Sequence, residues 1–191
     1  MDFKTKFQDY SGQVYHKRML LLERCELTSL KGCPKEIPGT FSCSMNKLKT
    51  LEGRPEIIND KFFCGYNELT SLKGSPKYVK NNYYCNNNKL ESLKYAPKEI
   101  NGEFDCSHNN LTSLEFCPKK IKNVLRCVGN PKIKNIKEEI IKEQIKTQYY
   151  YTDEGNFYFD EIEKEFEIET YRLNILKNKH NINKNDYGLS L

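Results

Sequence analysis

Residues 41–51 read FSCSMNKLKTL, residues 62–72 read FFCGYNELTSL, and residues 83–93 read YYCNNNKLESL. Their starts lie 21 residues apart, and the same frame fits the chain from residue 20 to residue 130. Asn recurs as Asn46, Asn67, Asn88, Asn109 and Asn130, with Cys25 in that column one turn earlier. Cys recurs as Cys43, Cys64, Cys85, Cys106 and Cys127. Leu fills Leu27, Leu48, Leu69, Leu90 and Leu111, and again Leu30, Leu51, Leu72, Leu93 and Leu114. Pro34, Pro55, Pro76, Pro97 and Pro118 each stand three residues before Ile or Val. A fixed period of this length defines a solenoid, in which each turn buries its apolar positions by stacking on its neighbours.

Each column has a chemical reason. Phe41 and Cys43 alternate with Ser42 and Ser44, the period of a short strand with one buried face. The next turn sets Phe62 and Cys64 on a parallel strand about 4.8 Å away. The Asn after each strand stands where the chain turns inward and leaves backbone groups that water cannot reach. A side chain with both donors and an acceptor satisfies them, and an aliphatic one does not. Pro fixes φ and lacks an N–H, which breaks any regular helix on the outer wall. Loops or short 3₁₀ turns are therefore expected there.

The unit aromatic-x-Cys-x-x-Asn-x-Leu-x-x-Leu resembles the leucine-rich repeat over roughly 110 of the 191 residues. Leu27-Thr28-Ser29-Leu30, Leu69-Thr70-Ser71-Leu72 and Leu111-Thr112-Ser113-Leu114 are similar to the arrays in proteins of tailed phages and large viruses, and less closely to bacterial effectors. The resemblance implies an α/β-type, right-handed repeat solenoid with a parallel sheet on its concave face and a loop or 3₁₀ convex face, plus a small α+β C-terminal cap. It also implies a non-enzymatic protein-interaction module, encoded by a phage or prophage, that binds and modulates a host defence or regulatory protein. A structural virion component is a further reading. The Cys-x-Asp ligase signature of some effectors is absent, since none of the eight cysteines is followed by x-Asp.

Five cysteines fall in the inward column, where the thiol behaves as a small apolar group. Cys33 and Cys117 lie off the columns beside a Pro, so they are the thiols expected to react first. There is no C-x-x-C pair and no Cys/His spacing of a zinc site. No metal or cofactor is expected. Residues 1–18 carry Lys4, Lys6, Asp9, His16, Lys17 and Arg18 without an apolar stretch, and the array has no membrane-length apolar run. These features predict a reducing cytoplasm, that of the host if the protein is viral.

The frame sets the expected organisation: an N-terminal cap over 1–18, a solenoid over 19–134, and a C-terminal cap over 135–191. In the last, Ile136, Ile140, Ile141 and Ile145 trace one face of a helix over about 135–146. Tyr149-Tyr150-Tyr151 and Phe157-Tyr158-Phe159 flank a Gly-containing loop and read as a hairpin. Asp160 and Glu163 open a second helix to about Lys177, and a frayed tail begins at Asn178.

Residues 1–130 carry a net charge of +7 and residues 131–191 a net charge of −2. Part of the excess lies on the outer wall at Lys35, Lys77, Lys98 and Lys119, which would serve as phosphate contacts if the partner were a nucleic acid. Arg is scarce, however, and these lysines alternate with glutamates. The concave strand positions are more specific. Phe63, Tyr66 and Tyr84 cluster among them, flanked by Glu103, Asp105 and His108, with Arg126 beyond. A central aromatic patch with a charged surround is how protein interfaces are built. Phe63, Tyr66, Tyr84, Asp105, His108 and Arg126 are thus the candidate partner-binding residues, with a monomer the expected state. Asp105 and His108 could be imagined as an acid–base pair, but the chain supplies no nucleophile, phosphate loop or metal set. The chain is read as a non-enzyme.

Overall fold

The computed structural model describes residues 15–158 apart from 17 and 154, with the backbone alone for Tyr15, His16, Thr152 and residues 156–158. Most of the expected N-terminal cap, the second helix from Asp160 and the tail from Asn178 lie outside the described residues.

The chain forms a parallel β-solenoid of about six turns with one short helix near its C-terminal end. Every turn contributes one very short strand to a main sheet: β2 (Met19–Leu21), β4 (Phe41–Ser42), β6 (Phe62–Phe63), β8 (Tyr83–Tyr84), β10 (Phe104–Asp105) and β12 (Val124–Arg126). The register repeats without a slip, with Phe41 opposite Phe62, Phe62 opposite Tyr83, and Tyr83 opposite Phe104. An antiparallel strand β1 (Tyr15–His16) joins β2 at one edge. At the other edge, β13 (Tyr149–Thr152) pairs parallel with β12, and β14 (Gly155–Tyr158) closes a hairpin on it, giving nine strands.

The core is a set of ladders running along the solenoid. Phe41, Phe62, Tyr83 and Phe104 are fully buried, and Phe41 and Phe62 stack at 5.6 Å between ring centroids. The buried Tyr83 phenol lies 2.8 Å from the Ser75 hydroxyl, which accounts for a Tyr where the neighbouring turns carry Phe62 and Phe104. Cys43, Cys64, Cys85, Cys106 and Cys127 are buried thiols, each placing its sulfur 3.3–3.5 Å from a carbonyl of the next strand. The Asn ladder is the most regular feature. Asn88 Oδ1 accepts from Leu69 N at 3.0 Å, while its Nδ2 donates to the carbonyls of Cys64 and Cys85 at 3.1 Å and of Asn86 at 3.3 Å. Asn46, Asn67, Asn109 and Asn130 repeat the pattern, so each Asn ties its turn to the one before.

The residue preceding each Asn, and preceding Cys25 in the same column, is left-handed: Arg24, Met45, Tyr66, Asn87, His108 and Gly129 all have φ between 52° and 67°. A second left-handed column closes the turn after the second Leu. There the N–H of residue i+3 bonds back to the Leu carbonyl, as from Arg54 to Leu51 at 3.2 Å. Gly32, Gly53 and Gly74 occupy this position in three turns, the site a type II turn gives to glycine. At Gly53 a Cβ would stand 2.6 Å from Lys31 N of the preceding turn. The next two turns carry Tyr95 (φ 76°) and Phe116 (φ 64°) instead.

The outer wall departs from the expected 3₁₀ turns. Its Pro-x-x-Ile segments form two-residue parallel strands, β3 (Glu36–Ile37), β5 (Ile57–Ile58) and β7 (Tyr78–Val79) in one sheet, and β9 (Glu99–Ile100) and β11 (Lys120–Ile121) in another. The inward Ile or Val of each turn aligns with the next, and the flanking backbone groups then meet in a ladder. The ladder is interrupted between β7 and β9, at the turn holding Tyr95. Phe116 replaces glycine one turn on without a break, so the aromatic alone does not explain the gap.

A helix α1 (Ile136–Lys142), capped by the Asn135 side chain on Glu138 N at 3.1 Å, follows the last turn and buries Ile136 and Ile140. It is shorter than the isoleucine stripe implies, because Gln144 turns left-handed and Ile145 enters the core outside the helix. Glu139 of α1 accepts the Leu114 N–H at 2.9 Å, satisfying a backbone group at the end of the array. One expectation is corrected. Cys117 is 2% exposed and belongs to the core, because its turn swings the side chain inward toward the cysteine ladder while Phe116 points out.

Candidate functional site

Main-sheet residues that point away from the core line up strand by strand. One row runs Ser42, Phe63, Tyr84, Asp105, Arg126 and Tyr151 across β4, β6, β8, β10, β12 and β13. Phe63 and Tyr84 are half-buried and stack at 4.6 Å with 8° between planes. Strands are spaced about 4.8 Å apart, so rings this parallel turn their faces along the succession of strands. The second face of Tyr84 is directed toward the strand of Asp105.

Polar groups extend this stack into a chain. Tyr84 Oη accepts from Asn82 Nδ2 at 2.6 Å and donates to Glu103 Oε2 at 3.1 Å. Glu103 Oε1 in turn binds Arg126 Nε. The Arg126 guanidinium lies over the Tyr151 ring, 4.3 Å from its centroid. Asp105 Oδ1 accepts the Ser107 N–H at 2.9 Å. Burial pushes the Asp105 carboxyl above its ordinary range; the Ser107 bonds oppose this and the nearby Glu103 adds to it. Burial likewise raises the Tyr84 phenol.

The other candidates sit apart from the stack. Tyr66 lies in the left-handed turn column and is 52% exposed, three residues beyond Phe63. His108 occupies the same column two turns on, its ring resting against the Gly129 backbone, where a Cβ would meet Nδ1 at 2.3 Å. No hydrogen bond joins Asp105 to His108 among the described residues. There too, no three His, Cys, Asp or Glu side chains are grouped to hold a metal ion.

On the outer wall, lysines are paired with glutamates one turn back. Lys77 meets Glu56 at 2.6 Å, Lys73 meets Glu52 at 3.4 Å, and Lys120 meets Glu99 at 3.2 Å. Lys119 binds Glu143 at 2.8 Å. Of the four lysines proposed as phosphate contacts, two therefore hold carboxylates, while Lys35 and Lys98 are exposed. A shallow groove of about 410 Å³ runs between the β9–β11 edge and residues 146–148, lined in part by Lys120, Lys122 and Lys146.

Sequence reasoning missed Tyr151 as the platform under Arg126, because the 21-residue frame ends before it. The β12–β13 pairing offset is 25, as Arg126 opposite Tyr151 shows, and a helix is inserted between. It also passed over Tyr95 and Phe116, 51% and 47% exposed, whose signal was available: an aromatic in a column that otherwise holds glycine.

The fold and this face define a repeat solenoid with 21-residue turns, compatible with a leucine-rich-repeat pattern, that carries an aromatic and charged row on its main sheet. Compared with protein-family models, with curated proteins and with solved structures, the chain matches none. Among the described residues no helix is long and apolar enough to cross a membrane.

Proposed function

We propose that the chain is a non-enzymatic binding module that engages a protein partner through the outward face of its main sheet, centred on Phe63 and Tyr84. The observation that carries this reading is the Phe63–Tyr84 stack, continued through Glu103 to Arg126 and Tyr151. Aromatics with one face open and polar groups fixed around them supply apolar area with little entropy left to lose on binding. Strands β13 and β14 widen the same face, which a six-strand sheet alone leaves short of the roughly 800 Å² each partner of a stable complex contributes. The target we propose is a defence or regulatory factor in the host of a virus or prophage, a reading that rests on the sequence resemblance alone. The nucleic-acid reading draws on the lysine-lined groove of the outer wall, but the lysine–glutamate pairs there weigh against it.

The test is a comparison of partner affinity. Immobilised wild-type chain captures the partner from host extract, and binding is then measured with purified partner against Phe63→Ala, Tyr84→Ala and the double variant Lys77→Glu/Lys98→Glu. Each aromatic truncation is expected to cost roughly 2 kcal/mol, about thirtyfold in Kd, and the lysine reversals little. Silent aromatic variants with binding abolished by the lysine reversals would move the site to the outer wall.

A further inference from the structure

We infer that the slot between Tyr84 and Arg126, floored by Asp105, receives an arginine side chain presented by the partner protein. This rests on the main-sheet reading above and specifies its chemistry. The protein already contains such an arrangement one step along the sheet. There the Arg126 guanidinium lies over Tyr151 at 4.3 Å and its Nε is held by Glu103 on the neighbouring strand. An aromatic face, a cation and a carboxylate are thus drawn from three adjacent strands.

The Tyr84–Asp105 step offers an aromatic face and a carboxylate on adjacent strands with no cation over the ring; Arg126, opposite Asp105 on the next strand, acts on the carboxylate by charge but is turned to Tyr151 and Glu103. Tyr84 turns one face to Phe63 and the other toward Asp105. Among the described residues no Lys or Arg pairs with Asp105 within ion-pair distance, and none lies over the Phe63 or Tyr84 ring. Glu103 is already engaged, by Arg126 and by the Tyr84 hydroxyl. Asp105 is partly exposed and so can be reached from solvent. Among the described residues its hydrogen-bond donors come from Ser107 alone, which leaves acceptor capacity for an incoming donor. A planar guanidinium fits better than an ammonium, since it can lie parallel to Tyr84 and still direct an N–H at the carboxylate. The outer wall is rich in lysine, so this carboxylate and aromatic pair is a local acidic feature on a chain of net charge +5.

The experiment uses the full chain and a defined probe. Acetyl-Gly-Arg-Gly-amide is titrated while the ring resonances of Phe63 and Tyr84 are followed by NMR, with the lysine and citrulline peptides as controls. Saturable shifts at millimolar arginine peptide are expected, with several-fold weaker binding of the lysine peptide and none of the citrulline peptide. Asp105→Asn, which keeps the acceptor for Ser107, is expected to weaken the arginine peptide about tenfold while the Phe63–Tyr84 ring contacts persist. Equal binding of citrulline, no change in Asp105→Asn, or shifts elsewhere than at these rings would overturn the inference. Phe63→Ala tells the two readings apart against the captured partner. If that variant loses affinity and Asp105→Asn does not, the surface stands and the arginine slot fails. If both variants bind like wild type, both readings fail.

Discussion

Asn88 holds four backbone groups with one side chain, joining Cys64 and Leu69 of the preceding turn to Cys85 and Asn86 of its own. Asn88→Leu orphans the buried Leu69 N–H, while the carbonyls of Cys64, Cys85 and Asn86 keep bonds from Asn67, Asn109 and Tyr66, so the loss should be about 1–3 kcal/mol. Its neighbour Asn87 has φ of 54° and makes no such ties, so Asn87→Gly should be neutral within about 0.5 kcal/mol. Urea denaturation of both variants checks the register, and equal losses would contradict it. Tyr95 is exposed in a left-handed turn that three other repeats give to glycine. Tyr95→Gly should therefore stabilise by about 1 kcal/mol in the same assay, the cost of a left-handed side chain. A loss instead would show that the Tyr95 ring supports the fold. Asp105 behaves differently from a paired carboxylate. Its pKa is raised in the folded state, so the charged form costs stability at neutral pH, and that cost disappears as pH falls and the carboxyl is protonated in both states. Asp105→Asn should thus raise the thermal midpoint at pH 7, with the gain vanishing below about pH 4. A variant that gains stability while losing binding is the expected signature of a residue kept for its contacts.

Strands of two or three residues hold because every one is stacked into ladders. The cysteine ladder shows the consequence for chemistry. Burial pushes the thiols of Cys43, Cys64, Cys85, Cys106 and Cys117 well above their ordinary range, and those of Cys33 and Cys127 up to about 12. A thiol so held presents almost no thiolate at neutral pH. Native protein treated with a maleimide should label first at the partly exposed Cys25, then slowly at Cys33, with the other six protected until denaturant is added. Rapid labelling of all eight would contradict a stacked, buried ladder. The core columns were legible in the sequence because 21-residue repetition displays each buried position several times over, and a single odd residue such as Leu22, which stands 21 residues before Cys43 in the cysteine column, does not obscure it. Cys117 was misplaced because its column holds Cys33, Arg54, Ser75, Ala96 and Cys117, a set with no shared polarity. Phe63, Tyr84 and Asp105 were legible as outward residues from strand alternation. Their connection through Glu103 to Arg126 and Tyr151 was not, since rotamers and the inserted α1 decide it.

Taken as one object, the solenoid has two unlike walls. The outer one pairs Lys77, Lys73, Lys89 and Lys120 with glutamates 21 residues earlier, so its charges repeat with the turns and partly neutralise each other. The main sheet carries half-buried aromatics beside a desolvated carboxylate, and the hairpin β13–β14 continues that surface past the last repeat. Hydroxyl-radical footprinting of the free chain and of its complex with the captured partner tests directly which wall is the binding face. Phe63, Tyr66 and Tyr84 report on the main sheet, whereas Tyr78 on β7 and Tyr95 in its exposed turn report away from it. Lower oxidation of Phe63, Tyr66 and Tyr84 in the complex, with Tyr78 and Tyr95 unchanged, is the predicted result. Protection of Tyr78 and Tyr95 with the main-sheet aromatics oxidised as in the free chain would contradict it.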